Sequence, residues 1–437
     1  MNNETIFALS SGFGKSGVAV IRISGDDLHE MFCRIIQQKK FDARHAYFCN
    51  LRDDNGELID QCIAIYFAAP ASFTGTDIIE IHSHGAPAVV NKILNFLSTK
   101  NARLAEPGEF SRRAFMNGKM DLTDVDGLAA LLDAQTDKQR KFALKSMLGG
   151  DAETYTAWRE QMIEISAYAA AILDYDENDL PANISEKILT KTNELLKEIN
   201  TSLSRYNISR AITHGFNIVL AGETNVGKSS LFNKLVGANR AIVSNTPGTT
   251  RDVISAQIDI DGYLVNLSDT AGLRETDDTI EKLGIDRTKS ELENADLILH
   301  VFSSCKGVTP QGYGVVSDKT IIVINKCDEI KTRDNKNAIY TSAKTGDGLD
   351  ELLNAIRNKM HTMLDGAENT IIINARTYKL LTDTKLELEH ATQKFDGNYD
   401  IFSEHVRMAA DNIGKILGTI TANDVMDATF SQLCLGK

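Results

Sequence analysis

A loop with the pattern GxxxxGK[ST] is the most chemically specific feature of the sequence. It reads Gly-Glu-Thr-Asn-Val-Gly-Lys-Ser over residues 222–229, after the apolar run 218–221 and before the helix-like run 230–236. In such a loop, backbone N–H groups face the β- and γ-phosphates of a nucleotide, Lys228 supplies a positive charge and the Ser229 hydroxyl ligates Mg²⁺. Because Lys-Ser at this spacing serves no packing purpose, we predict a site for a nucleoside triphosphate with Mg²⁺.

Two later motifs indicate which nucleotide is bound. Residues 269–272 read Asp-Thr-Ala-Gly after the strand-like run 265–267, a pattern typical of the acid near Mg²⁺ and the γ-phosphate-sensing glycine of P-loop switch proteins. Residues 325–328 read Asn-Lys-Cys-Asp after the run 321–324. The Asp328 carboxylate can accept hydrogen bonds from the N1–H and 2-amino groups of guanine, and adenine lacks both donors. The sequence therefore predicts guanine over adenine.

Two more loops complete the predicted site. Ser342-Ala343-Lys344 would direct a backbone N–H at the guanine carbonyl, and the Gly- and Pro-containing loop 244–250 holds a threonine that would coordinate Mg²⁺ when the γ-phosphate is present. This order of motifs resembles P-loop GTPases of the translational type over about residues 216–363. The predicted GTP-binding residues are Asn225, Val226, Gly227, Lys228, Ser229, Ser230, Ser244, Thr249, Thr250, Asp269, Thr270, Ala271, Gly272, Asn325, Lys326, Asp328, Ser342 and Ala343.

Two positions depart from the common switch pattern. Many switch GTPases place a Gln after the DxxG motif to orient the attacking water, but Leu273 stands there and has no donor or acceptor. Glu281, in the acidic stretch that follows, is either a replacement carboxylate or part of a solvated helix face. The Asn225 amide oxygen is either a ligand for a monovalent cation or a cap of its own loop. The residues alone leave both alternatives open.

The elements that would position these loops divide the chain into four segments. Strand-like and helix-like runs alternate over residues 1–118, and strand signals are absent over 119–212, where runs such as 122–147 repeat apolar residues at helical spacing. Residues 213–376 have the length and rhythm of one doubly wound domain. Residues 377–437 are again helical and too few to bury their apolar faces alone. We therefore predict a multidomain α/β protein: an N-terminal α+β domain, a helical domain in two parts, and a P-loop GTPase domain inserted between them.

The composition excludes some classes of function. With 42% hydrophobic and 24% charged residues, the chain has no apolar run long enough to span a bilayer, and it shows no legible targeting peptide, so a cytoplasmic product without membrane contact is expected. The net charge of -13 disfavours indiscriminate adhesion to nucleic acid but permits a local basic patch for one RNA. Six cysteines without a CxxC pair indicate free thiols. The Cys434-Leu435-Gly436-Lys437 tail fits a prenylation box poorly, which leaves Cys434 either inert or a reactive thiol.

The chain resembles the MnmE/TrmE family of tRNA-modification GTPases along essentially its whole length. Three strings outside the GTPase motifs carry the resemblance. They are Gly-Val-Ala-Val-Ile-Arg-Ile-Ser-Gly at 17–25, Ser-Phe-Thr-Gly at 72–75 through His-Gly at 84–85 with Pro-Gly-Glu-Phe-Ser at 107–111, and the terminal Cys-x-Gly-Lys.

The resemblance implies a homodimeric enzyme that forms a heterotetramer with an MnmG-type FAD-dependent protein. Together they would install a carboxymethylaminomethyl-type group at carbon 5 of the wobble uridine of certain tRNAs. A tetrahydrofolate bound to the N-terminal domain would supply the one-carbon unit, and potassium would stimulate GTP hydrolysis. The alternative is a switch GTPase that acts as a non-catalytic ribosome or RNA assembly factor.

The resemblance also implies residue roles, and it favours the functional alternative at Asn225 and Glu281. The implied residues are Arg22, Glu80, Lys119 and Lys437 for folate, Ser229 and Thr250 for Mg²⁺, Asn225, Ser244, Thr246 and Thr249 for K⁺, and Glu281 as the water-orienting acid. The chain departs from the family pattern at Thr224, where relatives usually have proline, at Leu435, and at the turn Phe-Gly-Lys-Ser over 13–16, where relatives commonly carry Arg-Gly-Gly. The altered turn puts the edge of the folate pocket near Arg22 in doubt.

Overall fold

A computed structural model gives the arrangement of most of the chain. It describes residues 4–175, 183–242, 254–269, 291–304, 318–330, 333, 335, 337–367, 370–371, 374–393, 395, 398–419 and 436.

The described chain forms two compact units. Unit 1 comprises Met1–Ala129, Ser146–Asn193 and Asp383–Lys437, and unit 2 comprises Ala130–Lys145 and Glu194–Thr382. Unit 1 thus draws on segments before and after unit 2, so the second sheet of the protein lies within an insertion. The predicted multidomain α/β class is confirmed. The four-segment division at residues 118, 212 and 376 stays a prediction.

Unit 1 contains a six-stranded sheet with the order β3-β4-β5-β2-β1-β6. Its strands are β1 Thr5–Leu9, β2 Ser16–Gly25, β3 Ala46–Arg52, β4 Leu58–Phe67, β5 Asp77–Gly85 and β6 Ala102–Leu104. All neighbours pair antiparallel except β1 and β6, which are parallel. In β4 every second side chain from Cys62 to Tyr66 is buried, because successive residues of a strand point to opposite faces. Cys62 lies opposite Cys49, and both are free thiols.

Three helices accompany this sheet in sequence: α1 His29–Ile36, α2 Pro87–Ser98 and α3 Glu109–Met116. Pro87 opens α2, where the missing N–H of proline costs no helical hydrogen bond. Phe32 of α1 and Ile93 and Leu97 of α2 are fully buried in the same apolar cluster as Ile21 of β2. One face of the sheet is therefore a packed core.

The helical part of the chain consists of α4 Leu122–Asp133, α5 Asp137–Met147, α6 Gly150–Asp174, α7 Ile184–Ser204, α8 Tyr206–His214, α11 Ala375–Gln393 and α12 Tyr399–Leu417. The helical run predicted over 122–147 is broken at 134–136. There Thr136 and Gln139 form a capping box, in which the Gln139 side chain accepts from the Thr136 N–H at 3.1 Å. Residues close together in the sequence therefore determine that one helix ends and another begins at this point.

The longest helix packs against a helix from the far end of the chain. α6 contacts α12, and the buried residues of α12 recur three or four positions apart, which places them on one helical face. This repeat comprises Phe402, Val406, Ala409, Ile413 and Ile416, and the neighbouring Ala410, Gly414 and Leu417 are also buried. The matching buried residues of α6 are Tyr155, Trp158, Met162, Ile165 and Ala169.

Unit 2 contains a seven-stranded sheet with the order β13-β12-β11-β7-β10-β9-β8. Its strands are β7 Phe216–Ala221, β8 Arg240–Ile242, β9 Ile254–Ile260, β10 Tyr263–Asp269, β11 Leu297–Ser303, β12 Thr320–Asn325 and β13 Ala338–Tyr340, with the helices α9 Lys228–Ala238 and α10 Leu349–Met363. The five strands from β13 to β10 in sheet order are parallel, whereas β9 and β8 pair antiparallel. Parallel strands bring their carboxyl ends to one edge, which is where such sheets hold ligands.

Candidate nucleotide-binding site

The loop between β7 and α9 has the backbone shape of a phosphate-binding loop. Gly222 and Gly227 have φ values of +145° and +91°, a region that favours glycine. A Cβ at Gly222 would lie 2.2 Å from the Val301 carbonyl oxygen, and one at Gly227 would lie 2.3 Å from the Asn325 amide nitrogen. Both positions therefore require glycine for lack of space as well as for conformation. Gly227 caps α9, and the N–H groups of the first turn of a helix have no partner within the helix, so they can face an anion.

Lys228 and Ser229 begin α9 and lie where the motif predicts. The Lys228 ammonium is buried and donates to the carbonyl oxygens of Gly222 at 2.9 Å and Glu223 at 2.7 Å. The Ser229 hydroxyl donates to the Asp269 carboxylate at 2.7 Å. Asp269 is fully buried at the end of β10, which is hydrogen-bonded to β7. The structure thus brings a cation, a hydroxyl and a carboxylate to one loop.

Asn325 links the two loops of the predicted site. Its side chain is buried and donates to the Val226 carbonyl oxygen at 2.9 Å, while its amide oxygen accepts from the Ala343 N–H at 3.1 Å. One side chain therefore fixes the phosphate loop relative to the segment 342–344. The sequence predicted Asn325 as a GTP-binding residue but did not indicate this bridging position.

Asp328 lies on the short 3₁₀ helix Cys327–Glu329, exposed at the same edge of the sheet. A hydrogen bond from the Ser342 hydroxyl, with Lys344 and Lys326 nearby, holds the pKa of the Asp328 carboxyl below its ordinary value. The group is therefore a carboxylate at neutral pH, with oxygens that accept hydrogen bonds. It can receive two parallel donors such as those of guanine.

Two features of this edge were not predicted from the sequence. The Ser304 hydroxyl donates to the Lys326 carbonyl oxygen at 2.7 Å, where Lys326 itself adopts a left-handed conformation with φ of 63°. Gly348, with φ of +70°, closes the loop so tightly that a Cβ there would lie 1.9 Å from the Tyr340 carbonyl oxygen. The sequence did contain a signal for each feature: a serine next to an apolar strand for Ser304, and a Gly-x-Gly before a helix for Gly348.

Several predicted site residues lie outside the described residues. They are Ser244, Thr246, Thr249, Thr250, Thr270, Ala271, Gly272, Glu281, Cys434 and Lys437. Asn225 is described and exposed, with φ of 64° on the phosphate loop, and Ser230 is exposed on the first turn of α9.

In unit 1, Arg22 and Glu80 form a pair on neighbouring strands. They lie opposite each other in register on β2 and β5, and Arg22 donates to the Glu80 carboxylate from Nη2 at 2.9 Å and from Nε at 3.1 Å. The Arg22 guanidinium lies 5.3 Å from the Phe73 ring centre and 5.8 Å from that of Phe110. The Arg22–Glu80 ion pair is thus partly buried beside two aromatic rings.

Lys119 and the penultimate glycine lie in the same unit as this pair. Lys119 lines a cavity of about 580 Å³ next to Gly118 and Asp121. The Gly436 carbonyl oxygen accepts from the Ser10 hydroxyl at 2.9 Å, which brings the chain end beside the end of β1. The structure therefore places the residue before Lys437 near the strand that pairs with β2.

This fold and site define a P-loop GTPase. The defining features lie at the carboxyl edge of a mainly parallel sheet. They are the strand-loop-helix at Lys228, the buried Asp269 and the Asn325–Asp328 loop. A family model described as "GTP-binding protein TrmE N-terminus" matches residues 5–119, and one described as "MnmE helical domain" matches residues 122–434. The chain belongs to the MnmE family of tRNA modification GTPases, which confirms the resemblance seen in the sequence.

Individual relatives match the chain from end to end. The tRNA modification GTPase MnmE of Brucella abortus (strain 2308) is 38% identical over 440 residues, covering 100% of this chain and 98% of the relative. The protein of the same name from Aquifex aeolicus (strain VF5) is 36% identical, covering 99% of this chain and 100% of the relative. Among solved structures, Era of Aquifex aeolicus is 28% identical over 33% of this chain and 56% of its own, with a TM-score of 0.27.

The Asp328→Asn variant should exchange guanine for xanthine specificity. The asparagine amide can no longer accept two hydrogen bonds from guanine but can donate to the 2-carbonyl of xanthine. GTP affinity is expected to fall by about two orders of magnitude or more, because a site built around a hydrogen-bonded pair rejects an unmatched partner strongly. Calorimetric titration with guanosine, xanthosine and adenosine triphosphates measures this exchange.

Glu329→Gln is the matched control, since Glu329 is the neighbouring exposed carboxylate on the same 3₁₀ helix. It should bind the three nucleotides as the unsubstituted protein does. Retention of full GTP affinity by Asp328→Asn would show that the base is read elsewhere.

Proposed function

We propose that this GTPase binds GTP with Mg²⁺ in the loops joined by Asn325 and couples its hydrolysis to modification of carbon 5 of the wobble uridine of certain tRNAs. The observation that carries the proposal is a built nucleotide site within a chain that matches tRNA modification GTPases along its whole length. The one-carbon unit comes from a tetrahydrofolate, and an MnmG-type FAD-dependent protein takes part in the reaction.

The phosphate side of the site supports binding of a triphosphate. The N–H groups at the start of α9 and the Lys228 ammonium supply positive charge to the same loop. When phosphates bind, Lys228 exchanges its two carbonyl acceptors for phosphate oxygens. Ser229 and Thr250 would hold Mg²⁺, and Asp269, which accepts a hydrogen bond from the Ser229 hydroxyl, would orient that hydroxyl. Bound Mg²⁺ neutralises charge that develops on the phosphates.

Asn225 is the proposed potassium ligand of the described loop, together with Ser244, Thr246 and Thr249. Its left-handed backbone lies within the phosphate loop, two residues before Gly227, and its side chain is exposed rather than committed to the core. Bound K⁺ supplies positive charge near the transferred phosphate, the place that an arginine side chain serves in other switch proteins.

Hydrolysis is expected to depend on the identity of the monovalent cation. Replacing potassium by sodium should slow GTP turnover, because the smaller sodium ion is a poor fit for a site whose ligands are spaced for potassium. Asn225→Ala should remove the difference in rate between the two salts. Phosphate release at equal ionic strength measures this effect. Equal rates in both salts for the unsubstituted protein would contradict the potassium site.

We assign Glu281 as the acid that orients the attacking water. Many switch GTPases use a glutamine for this role, but Leu273 occupies that position here. Glu281→Ala should lower the turnover number by about two to four orders of magnitude while leaving GTP affinity near normal, because the contact is made only in the transition state. Single-turnover hydrolysis with a parallel binding titration separates the two quantities.

Glu275→Ala is the control for Glu281→Ala, since it removes a carboxylate from the same acidic stretch. It should hydrolyse GTP at the unsubstituted rate. A Glu281→Ala variant that loses binding and turnover together would make Glu281 a structural residue.

The Arg22–Glu80 pair supports the proposed folate site. Its partly buried side chains combine a guanidinium, a carboxylate and the flanking rings of Phe73 and Phe110. A pterin offers a flat ring to stack and a 2-amino edge to donate to a carboxylate, and the glutamate tail of a folate offers carboxylates to cations such as Lys119 and Lys437. The bound folate supplies the one-carbon unit.

The assembly and its location are further parts of the proposal. The protein acts as a homodimer that joins the FAD-dependent partner in a heterotetramer, and it works on tRNA in the cytoplasm. Among the helices of the described residues, none combines the length and the apolar character needed to cross a membrane.

Nucleoside analysis tests the proposed reaction. Mass spectrometry of anticodon nucleosides from a deletion strain should show loss of the wobble-uridine group, its return with the unsubstituted gene, and no return with Arg22→Gln. Arg34→Gln is the control, because Arg34 is an exposed arginine with its own glutamate partner at 2.6 Å. Unchanged nucleosides together with accumulated ribosomal precursors would favour the ribosome assembly alternative.

A further inference from the structure

A cluster of two histidines and one glutamate lies outside the sites described above. Among the residues that the structure describes, Glu387, His390 and His405 present ligand atoms that all lie within 4.8 Å of one another. Glu387 and His405 are joined by a hydrogen bond of 2.6 Å between Oε2 and Nδ1, in which the imidazole N–H donates. The ring centres of His390 and His405 are 5.5 Å apart.

The backbone places these three side chains together for a simple geometric reason. Glu387 and His390 are three residues apart on α11, so they share one face of the helix. Glu387 lies six residues before the end of α11, and His405 lies six residues after the start of α12. Residues equally distant from the turn of a helical hairpin face each other across it.

We propose that Glu387, His390 and His405 bind a divalent transition-metal ion of the Zn²⁺ class. Two imidazoles and a carboxylate form a donor set suited to such ions, and three protein ligands leave a further position for water. Neither nucleotide nor folate is required for this site, so it is independent of the proposed function.

The geometry needs only small movements to close on an ion. Metal–nitrogen and metal–oxygen bonds of about 2.0–2.2 Å place neighbouring ligand atoms of a tetrahedral ion about 3.3 Å apart. The Glu387–His405 contact therefore opens slightly, and the exposed His390 ring swings inward. The proton on the coordinating nitrogen of His405 passes to solvent when the metal binds.

A simpler explanation of the cluster is an interhelical hydrogen bond between Glu387 and His405, to which His390 contributes nothing. The two explanations differ in what they require of His390. A metal site needs its imidazole, whereas the hydrogen bond does not. Because His390 is exposed, its replacement should leave the fold intact.

Cobalt titration of the full chain, stripped of metal beforehand, tests the site. One Co²⁺ per chain should produce visible d–d bands without thiolate charge-transfer absorption, since the cluster holds no cysteine, and Zn²⁺ should displace it. His390→Ala should weaken Co²⁺ binding by roughly tenfold or more, because losing a ligand costs at least as much as losing an outer-shell partner. Co²⁺ should raise the thermal unfolding midpoint of the unsubstituted protein and not of this variant.

His361→Ala is the matched control. His361 is also an exposed histidine beside a carboxylate, with Nε2 3.3 Å from Asp261 Oδ2. This variant should bind Co²⁺ as the unsubstituted protein does. Failure of the unsubstituted protein to bind Co²⁺ saturably, or equal binding by His390→Ala, overturns the proposal, and neither outcome bears on GTP hydrolysis.

Discussion

The buried Asn325 side chain is the contact on which the nucleotide site depends. It donates to the backbone of the phosphate loop and accepts from the backbone at Ala343, so two loops far apart in sequence share one anchor. A buried amide that lost either partner would leave a polar group without solvent or hydrogen bond, which is costly inside a protein. Gly227 is constrained by the same side chain, because a Cβ there would meet the Asn325 amide. The Asn325 contacts therefore fix the predicted phosphate loop relative to the predicted base-binding segment.

The packing of α6 against α12 has a comparable role in unit 1. Apolar residues repeat every three or four positions on both helices, and neither segment could bury that face alone. Because α6 precedes the second sheet in sequence and α12 follows it, this contact makes the nucleotide domain an insertion. The chain ends of an inserted domain must lie close enough for the host to fold as one unit.

Two partly buried polar pairs of unit 1 arise in different ways. Arg22 and Glu80 face each other because β2 and β5 pair in a fixed register. Glu387 and His405 meet because they lie six residues from the facing ends of two consecutive helices, α11 and α12. In both, the paired side chains lie on regular secondary structure rather than on a loop, which fixes the positions of their polar atoms.

Local patterns in the sequence were enough to predict many of the elements and the loops of the candidate nucleotide site. The apolar runs 218–221, 265–267 and 321–324 predicted β7, β10 and β12, because strand spacing is local. The phosphate-loop and Asn-Lys-x-Asp patterns predicted binding residues for the same reason. The same local reasoning read 122–147 as one helical run, although a capping box at Thr136 divides it. The contacts of Asn325, the pairing of Arg22 with Glu80 and the contact of Glu387 with His405 became visible only in the folded chain. Each joins residues on different elements, and they meet through strand register or helix packing, which local patterns in a single sequence do not reveal.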